Sequence, residues 1–475
     1  MSKIMHMRGF LTSCPGVSPL AACSLGLTFA TVLALAPAAP ATAATTATVR
    51  GQAVVPGSTR SLPLVPLSRE RVPGGAPEQG LYRTGLGRFA LVGVVWDDPG
   101  TELRGQVRVR TRSAVTGQWS GWQDVEAHHA DHGADPDTAE GSSRRVRGGT
   151  APLWVGDSDG VDVRVRAAGP GGGDGTGGPP GKRAGGPGAS LPPGLRLELV
   201  DPGGGAGRVT GEGLPAKPRG DDPPRTALDT EAALAASAAN ADITAFGATA
   251  IPELDRSATE QELTRLKGPV RGKPYIGPRP RIVTRRGWGA DESLRERGFV
   301  YTKKIKAAFV HHTATGNAYT CAQAPSVIRS IYRYHVKSMG WRDLGYNFLV
   351  DKCGTLYEGR AGGVAKAVLG AHTLGFNTNT MGIAVIGTYG ATKPSSTAVK
   401  AIARLTAWKL GLYGVDPSGK TYLTSGGGNL YPKGKNVRLN VISGHRDGFA
   451  TECPGKRLYA KLGTARSSAA GYQGR

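Results

Sequence analysis

Two segments that lie about 130 residues apart set the strongest constraint on how this chain can fold. Phe309–Ala314 (FVHHTA) ends an apolar run in two histidines, and Ser443–Pro454 (SGHRDGFATECP) holds a histidine and a cysteine eight positions apart. Neutral imidazole and thiolate are donors that zinc takes in tetrahedral sites, and three protein ligands leave a fourth position for water. We therefore predict that His311, His445 and Cys453 converge on one catalytic zinc ion, which requires a fold that brings both segments together.

Each of these residues also has a simpler interpretation. A single histidine that follows a strand more often makes structural hydrogen bonds than it binds a metal, and Cys453 could be half of a disulfide. The spacing alone leaves both alternatives open. The other motifs of the same region favour the zinc site.

Four further motifs follow FVHHTA in order along the chain. They are GWRDLGYNF at Gly340–Phe348, YEGR at Tyr357–Arg360, GAHTLGFN at Gly370–Asn377 and GHRDGFATECPG at Gly444–Gly455. Over about Arg281–Leu462, this set resembles the peptidoglycan recognition protein family, which shares its fold with the type 2 N-acetylmuramoyl-L-alanine amidases. The resemblance implies an α/β fold with a mixed central β-sheet flanked by helices. Short strand-like runs mixed with long helical patterns agree with that fold.

The resemblance also implies roles for four residues besides the metal ligands. Tyr346 matches the family's tyrosine that donates to the developing oxyanion, and Thr451 occupies a position that is lysine in phage-type amidases and threonine in many recognition-protein amidases. His372 and Arg446 are predicted to contact the muropeptide. Structural alternatives are a strand aromatic for Tyr346, a hydrogen-bonding histidine for His372 and support of the His445 loop for Arg446. No general base is assigned.

Together these residues predict a zinc-dependent N-acetylmuramoyl-L-alanine amidase that hydrolyses the lactyl–L-Ala amide bond of peptidoglycan. Zinc lowers the pKa of its bound water from 15.7 toward about 7 and can polarise the amide carbonyl. The alternative is a non-catalytic peptidoglycan receptor on the same fold. Receptor members of the family typically lack the cysteine ligand, so Cys453 favours the enzyme. The expected partners are peptidoglycan and muropeptides, and we expect a monomer.

The first 43 residues have the pattern of a signal peptide. Lys3 and Arg8 supply positive charge, Leu20–Leu35 is apolar, and Ala41–Ala43 forms a small-residue cleavage site. Such a segment is removed on export. We therefore expect a secreted protein, extracellular or associated with the cell wall, with no membrane span after cleavage.

Removal of that segment leaves three cysteines, Cys321, Cys353 and Cys453. An odd count in an exported protein means that one thiol is not paired within the chain. Our hypothesis is a Cys321–Cys353 disulfide with Cys453 as a thiolate, although the sequence itself does not fix the pairing.

Composition divides the rest of the chain into four parts. Residues 44–79 are predicted to be an extended lead-in, 80–200 a small all-β, sandwich-like domain with a Gly/Pro-rich insertion at 169–194, 201–277 a flexible linker, and 278–475 the zinc amidase domain. Apolar alternations bounded by turn residues support the β domain.

The β domain carries little recognisable chemistry. Trp119 and Trp122 could stack on a sugar, but packing in the core is favoured. Three histidines close to Asp131 could bind a metal, but a solvated loop is favoured; they are His128, His129 and His132.

The net charge of +23 raises the question of a polyanionic partner. Nucleic acid is not expected, because the chain has no zinc-finger spacing, RNA-binding aromatic signature or basic helix. Two interpretations remain open: a solvated basic surface, or a surface that adheres to anionic wall polymers.

Overall fold

A computed structural model of the chain describes residues 56–67, 76–127, 132–169, 190–204, 230–269 and 271–475. The predicted signal peptide and most of the Gly/Pro-rich insertion lie outside the described residues. The described residues fall within one unit, Gly51–Arg475, which contains two large β-sheets. No helix within the described ranges is long and apolar enough to cross a membrane.

The N-terminal domain, residues 56–204, consists of antiparallel strands. Its strands are β1 Ser58–Pro63, β2 Val65–Pro66, β3 Glu78–Arg83, β4 Phe89–Trp96, β5 Gly105–Ser113, β6 Gln123–Val125, β7 Gly148–Gly149, β8 Leu153–Ala167 and β9 Arg196–Asp201. The long strand β8 pairs with β4 near its start and with β3 and β5 further along, so the sheet branches there. Alternate residues of both branches fill one apolar core, which includes Val92, Val163 and Leu197. The prediction of an all-β domain therefore agrees with the structure.

Two details of this domain differ from the prediction. The extended lead-in contains strand β1, which pairs with β9 over Ser58–Pro63. The residues Asp157–Gly160 (DSDG) predict a turn, but they lie inside strand β8, where Asp159 accepts a hydrogen bond from Arg112 at 2.8 Å. Because charged cross-strand pairs can satisfy polar residues within a strand, turn-forming residues there did not end it.

The C-terminal domain, residues 230–475, mixes helices with a second sheet. Its elements are α1 Glu231–Ala238, β10 Ala250–Ile251, α2 Arg256–Lys267, β11 Ile282–Val283, α3 Arg285–Trp288, β12 Ala307–His312, a 3-10 turn Cys321–Gln323, α4 Ala324–Arg333, a π-helical turn Tyr334–Ser338, β13 Phe348–Val350, β14 Leu356–Glu358, β15 Thr380–Val385, α5 Ser396–Gly411, β16 Lys420–Thr424, β17 Asn436–Asn440, β18 Ile442–Gly444, a 3-10 turn His445–Asp447, α6 Lys456–Tyr459 and α7 Leu462–Gln473.

The second sheet is mixed and has the strand order β10-β11-β14-β13-β15-β12-β18. Strand β12 lies between β15 and β18 and runs parallel to both. Helices α5 and α7 cover one face of the sheet, with Trp408 and Leu462 in the same core as Val310 and Ile383. Helix α4 covers the other face, where Ile331 packs in a cluster with residues of the sheet. This is the α/β architecture that the resemblance implied.

The linker predicted at 201–277 is wrong over its second half. Residues 205–229 lie outside the described residues, but Ile243, Ile251 and Leu263 are buried in the core of the C-terminal domain. Strand β10 also adds an antiparallel edge to the second sheet. Alanine-rich helix α1 has no strong apolar stripe, so periodicity did not reveal that tertiary packing holds it.

The two domains share an apolar cluster. Leu91 and Trp154 of the first sheet pack with Val327 and Tyr334 of the segment that begins with helix α4. A Cβ at Gly93 would lie 2.6 Å from the Tyr334 ring, so glycine permits this close approach. The first sheet is therefore fixed against the face of the second domain.

Candidate metal centre

Two of the predicted ligands are brought together by strand register. Strands β12 and β18 are parallel neighbours, and Val310 pairs with Gly444, so His311 and His445 follow at the same edge of the sheet. Their ring centroids are 4.5 Å apart. Carboxyl ends of parallel strands meet at one edge, which explains how residues this distant in sequence become adjacent.

Cys453 reaches the same point through the loop that follows His445. The amide of Arg446 donates to the carbonyl of Cys453 at 3.1 Å and closes this loop. The Cys453 Sγ lies 3.8 Å from Nδ1 of His311, and the amide of His312 donates to the same sulfur at 3.4 Å. A donor aimed at sulfur favours the thiolate, which is the form that binds a metal.

A fourth donor comes from the N-terminal domain. Nε2 of His132 lies 3.9 Å from Sγ of Cys453, and its ring centroid is 4.5 Å from that of His445. The donor atoms of His132, His311, His445 and Cys453 all lie within 4.8 Å of one another. The prediction of a solvated loop is therefore wrong for His132, which is buried; the other two histidines of that group lie outside the described residues.

The four residues fit a zinc ion. Donors at about 2.0–2.3 Å from a tetrahedral ion lie about 3.3–3.6 Å apart, close to the 3.8 and 3.9 Å found around Cys453. Burial, together with the neighbouring histidines, lowers the pKa of His311 well below its usual value. The imidazole is therefore neutral, as a metal ligand must be.

Thr373 and His372 lie behind His311. The Thr373 hydroxyl is 3.4 Å from Nε2 of His311 and 3.0 Å from Nδ1 of His372. Such contacts to the second ring nitrogen fix the tautomer and orientation of a ligand. His372 is fully buried in this structure, and its contact with Thr373 is of the kind that the hydrogen-bonding alternative describes.

Tyr346 borders the cluster. Its ring centroid lies 5.5 Å from that of His311 and 5.7 Å from that of His132. The side chain is buried beside the donors, which brings together the predicted oxyanion donor and the predicted ligands.

Thr451 and Arg446 both contact the loop that carries Cys453. The Thr451 hydroxyl accepts a hydrogen bond from the amide of Cys453 at 3.2 Å. The Arg446 guanidinium donates to the backbone carbonyl of Glu452 and lies over the Tyr459 ring at 5.1 Å. These contacts match the supporting alternative for Arg446, and they give Thr451 a positioning contact.

The predicted Cys321–Cys353 disulfide is confirmed, with the two Cα atoms 6.2 Å apart. It ties the 3-10 turn before α4 to the turn between β13 and β14. Cys453 takes no part in a disulfide and lies in the cluster instead.

The tryptophans of the N-terminal domain do not pack in its core. Trp119 stacks on the exposed ring of Tyr82 at 5.4 Å, and the Arg110 guanidinium lies 5.0 Å from the centroid of Trp122. Both tryptophans are half-buried on the surface, so the core-packing prediction is wrong.

Comparisons with known proteins agree with this organisation. A family model described as N-acetylmuramoyl-L-alanine amidase matches residues 301–456. A second model, described as Rv3811 N-terminal galactose-binding domain-like, matches residues 40–188.

Individual relatives match the C-terminal domain. Peptidoglycan-recognition protein SC2 of Drosophila simulans is 31% identical over 183 residues, which cover 38% of this chain and 85% of the relative. The N-acetylmuramoyl-L-alanine amidase of Homo sapiens is 31% identical over 199 residues, 41% of this chain and 28% of that protein. The solved structure of wild-type Drosophila PGRP-LB is 25% identical, covers 38% of this chain and 91% of its own, and has a TM-score of 0.30. The chain belongs to the peptidoglycan recognition protein family, and its C-terminal domain also matches the N-acetylmuramoyl-L-alanine amidase model.

Proposed function

We propose that this protein is a secreted, zinc-dependent N-acetylmuramoyl-L-alanine amidase that hydrolyses the lactyl–L-Ala amide bond of peptidoglycan. The convergence of His311, His445 and Cys453 at one edge of the sheet, with Tyr346 beside them, carries this proposal. The N-acetylmuramoyl-L-alanine amidase model that matches residues 301–456 and the 31% identical human amidase support peptidoglycan as the substrate class.

Bound zinc would supply a hydroxide nucleophile near neutral pH and polarise the scissile carbonyl. Within the chain, Tyr346 would donate its phenolic hydroxyl to the oxyanion that develops on that carbonyl. Thr373 would hold the neutral tautomer of His311, and Thr451 would hold the loop that presents Cys453. Glu452 is not suited as the general base, because it is exposed and pairs with Arg446.

The alternative is a peptidoglycan receptor on the same fold that does not cleave its ligand. In the family, receptor members typically lack the cysteine ligand, and here that cysteine lies in the cluster. A receptor would have no need of a thiolate held by a backbone amide beside two histidines. The complete donor set therefore favours the enzyme.

Mass spectrometry of the products of peptidoglycan digestion tests the proposal. The zinc-loaded chain should release stem peptides that begin with a free L-Ala amino group and leave the lactyl ethers on the glycan. The Cys453→Ser variant should release none. The protein would instead be a receptor if the wild type binds muropeptides but neither it nor any variant cleaves them in prolonged digests.

A further inference from the structure

The cluster contains one more protein donor than a zinc hydrolase needs. Catalytic zinc sites keep three protein ligands and an open position for water, whereas sites with four protein ligands are closed. Here the fourth donor, Nε2 of His132, comes from a different domain than the other three. Around a bound zinc ion, its side chain would take the position that water has in a catalytic site.

The segment after His132 is fixed to the GAHTLGFN loop. The Asp135 carboxylate accepts hydrogen bonds from the amide of Gly375 at 2.7 Å and from the Asn377 side chain at 2.8 Å. The same Asn377 amide donates to the carbonyl of Gly133 at 2.8 Å. Backbone and side chain of the segment are thus both held at this loop.

A second anchor lies at Glu140. Its two carboxylate oxygens accept bonds from the Arg360 guanidinium at 2.7 and 2.8 Å, and one also accepts from the amide of Arg342 at 3.1 Å. Both Glu140 and Arg360 are buried, so solvent screens this bidentate ion pair only weakly. Residues 132–140 are therefore held at both ends against the C-terminal domain.

The metal cluster beside the anchored segment is buried. His132 is 7% exposed, and His311, His445 and Cys453 are each 1% exposed or less. Tyr346 is 2% exposed. A glycan-linked peptide cannot reach atoms that are covered to this degree unless part of the covering moves. The segment that carries His132 is part of it, because the His132 ring lies against those of His311, Tyr346 and His445.

We propose that His132 is the fourth protein ligand of the metal and that residues 132–140 hold the enzyme in a latent form. Withdrawal of this segment opens the coordination position for water and uncovers the cluster for substrate. The ligand assignment rests on the geometry of the cluster, and the latency rests in addition on the proposed amidase function.

Cobalt substitution tests the ligand assignment independently of activity. The full chain loaded with Co²⁺ should show ligand-field bands of a closed four-coordinate site, and azide should leave them unchanged. In the His132→Ala protein azide should bind at the vacated position and shift the bands. The His132→Ala protein should also lose zinc to a chelator faster than the wild type. We expect a difference of about 10–100-fold, the size found for substitutions around metal ligands. A wild-type spectrum that responds to azide at the same concentrations as His132→Ala would overturn the assignment.

Cleavage rates on soluble muropeptide test the latency. His132→Ala should cleave at least about tenfold faster than the wild type, which corresponds to an open fraction of less than about one in ten in the wild type. Glu140→Gln keeps His132 but weakens the buried ion pair, so it should give a smaller increase. The matched control is Asp137→Asn, because the Asp137–Lys433 pair lies in the same segment but is exposed. It should behave as the wild type.

The outcomes separate the two claims. Equal rates for the wild type, His132→Ala and Glu140→Gln would overturn the latency and leave the amidase proposal standing. Azide shifts confined to His132→Ala, with no cleavage by any variant, would support the ligand assignment and overturn the amidase proposal.

Discussion

At the scale of single residues, two adjacent histidines have opposite surroundings. His311 and His312 end strand β12, and successive side chains of a strand point to opposite faces. The His311 ring enters the metal cluster, whereas Nδ1 of His312 accepts a bond from the amide of Tyr389 at 3.2 Å. Strand alternation alone predicts that His312 faces away from His311 and has a structural role, because the direction of successive side chains depends on the backbone and not on distant packing.

Zinc content should distinguish these neighbours. We expect one zinc ion per wild-type chain and its loss, together with amide cleavage, in His311→Ala and Cys453→Ser, because each variant removes a donor. His312→Gln is the matched control and should keep its zinc, since its ring lies outside the cluster. Elemental analysis of the purified variants measures this. Active protein without zinc would contradict it.

Substitutions of Tyr346 and Thr451 should have different effects, one on kcat and the other on zinc retention. Tyr346→Phe removes only a hydroxyl beside the cluster, so kcat should fall about a hundredfold with KM and zinc content little changed, as for loss of an oxyanion donor. Thr451→Val removes the acceptor for the Cys453 amide, so its main effect should be faster zinc loss. Both are best measured in the His132→Ala background. If Tyr346→Phe has a normal kcat, the Tyr346 hydroxyl does not act in catalysis and the residue has only a structural role.

At the scale of elements, local patterns predicted the strands and helices with strong periodicity. The apolar run Phe89–Trp96 predicts a strand, and the apolar spacing within Ser396–Leu412 predicts a helix. Strand β4 and helix α5 occur at Phe89–Trp96 and Ser396–Gly411. Strand β1 was missed, whereas the alanine-rich run at Leu228–Asn240 predicts helix α1 but not its packing against the C-terminal domain. Their positions depend on pairing and packing with residues more than a hundred positions away, for example Ser58 with Asp201, which a local window cannot show.

Helix α1 is tied to the second sheet by a buried carboxyl group that should make stability depend on pH. The Asn240 side chain donates to Glu358 at 2.9 Å, and burial raises the pKa of Glu358 from 4.5 to about 7. Between these pH values the native state binds more protons than the unfolded chain, so stability falls as pH rises. At about 1.4 kcal/mol per pH unit, the loss is at most about 3 kcal/mol.

The Glu358→Gln variant isolates this effect, because glutamine resembles the protonated acid at every pH. The unfolding temperature of the wild type should fall relative to that of Glu358→Gln between about pH 5 and about pH 7.5, and the difference should then level off. Parallel curves for the two proteins would show that this carboxyl does not titrate abnormally.

At the scale of the whole molecule, three of the four donors of the cluster were predictable. His311, His445 and Cys453 lie in motifs of one domain, so their sequence context identified them. His132 lies in the other domain, and three histidines in a short polar segment are typical of solvated loops. Its position depends on how the first sheet packs on the second domain, through Leu91 and Trp154 among others, and no local pattern encodes that packing.

The revised domain boundary makes a prediction about fragments. A fragment of residues 278–475 lacks Ile243, Ile251 and Leu263, which fill the core of the C-terminal domain. Each buried side chain of this kind stabilises by about 1.5–3 kcal/mol, so their loss is large against a total of about 5–15 kcal/mol. We expect residues 230–475 to unfold cooperatively and 278–475 not to, as measured by near-UV circular dichroism on heating. Cooperative unfolding of the shorter fragment would show that the domain begins at residue 278, as the sequence predicted.

X-ray absorption at the zinc edge tests the central claim most directly, because it reports the donors around the metal in the intact chain. For the wild type we predict one sulfur at about 2.3 Å and three imidazole nitrogens at about 2.0–2.1 Å. In His132→Ala one imidazole should be replaced by a water oxygen while the sulfur remains. If the wild-type zinc has no sulfur ligand, the proposed metal centre is wrong. If the zinc has two imidazole ligands in both proteins, His132 is not the fourth ligand.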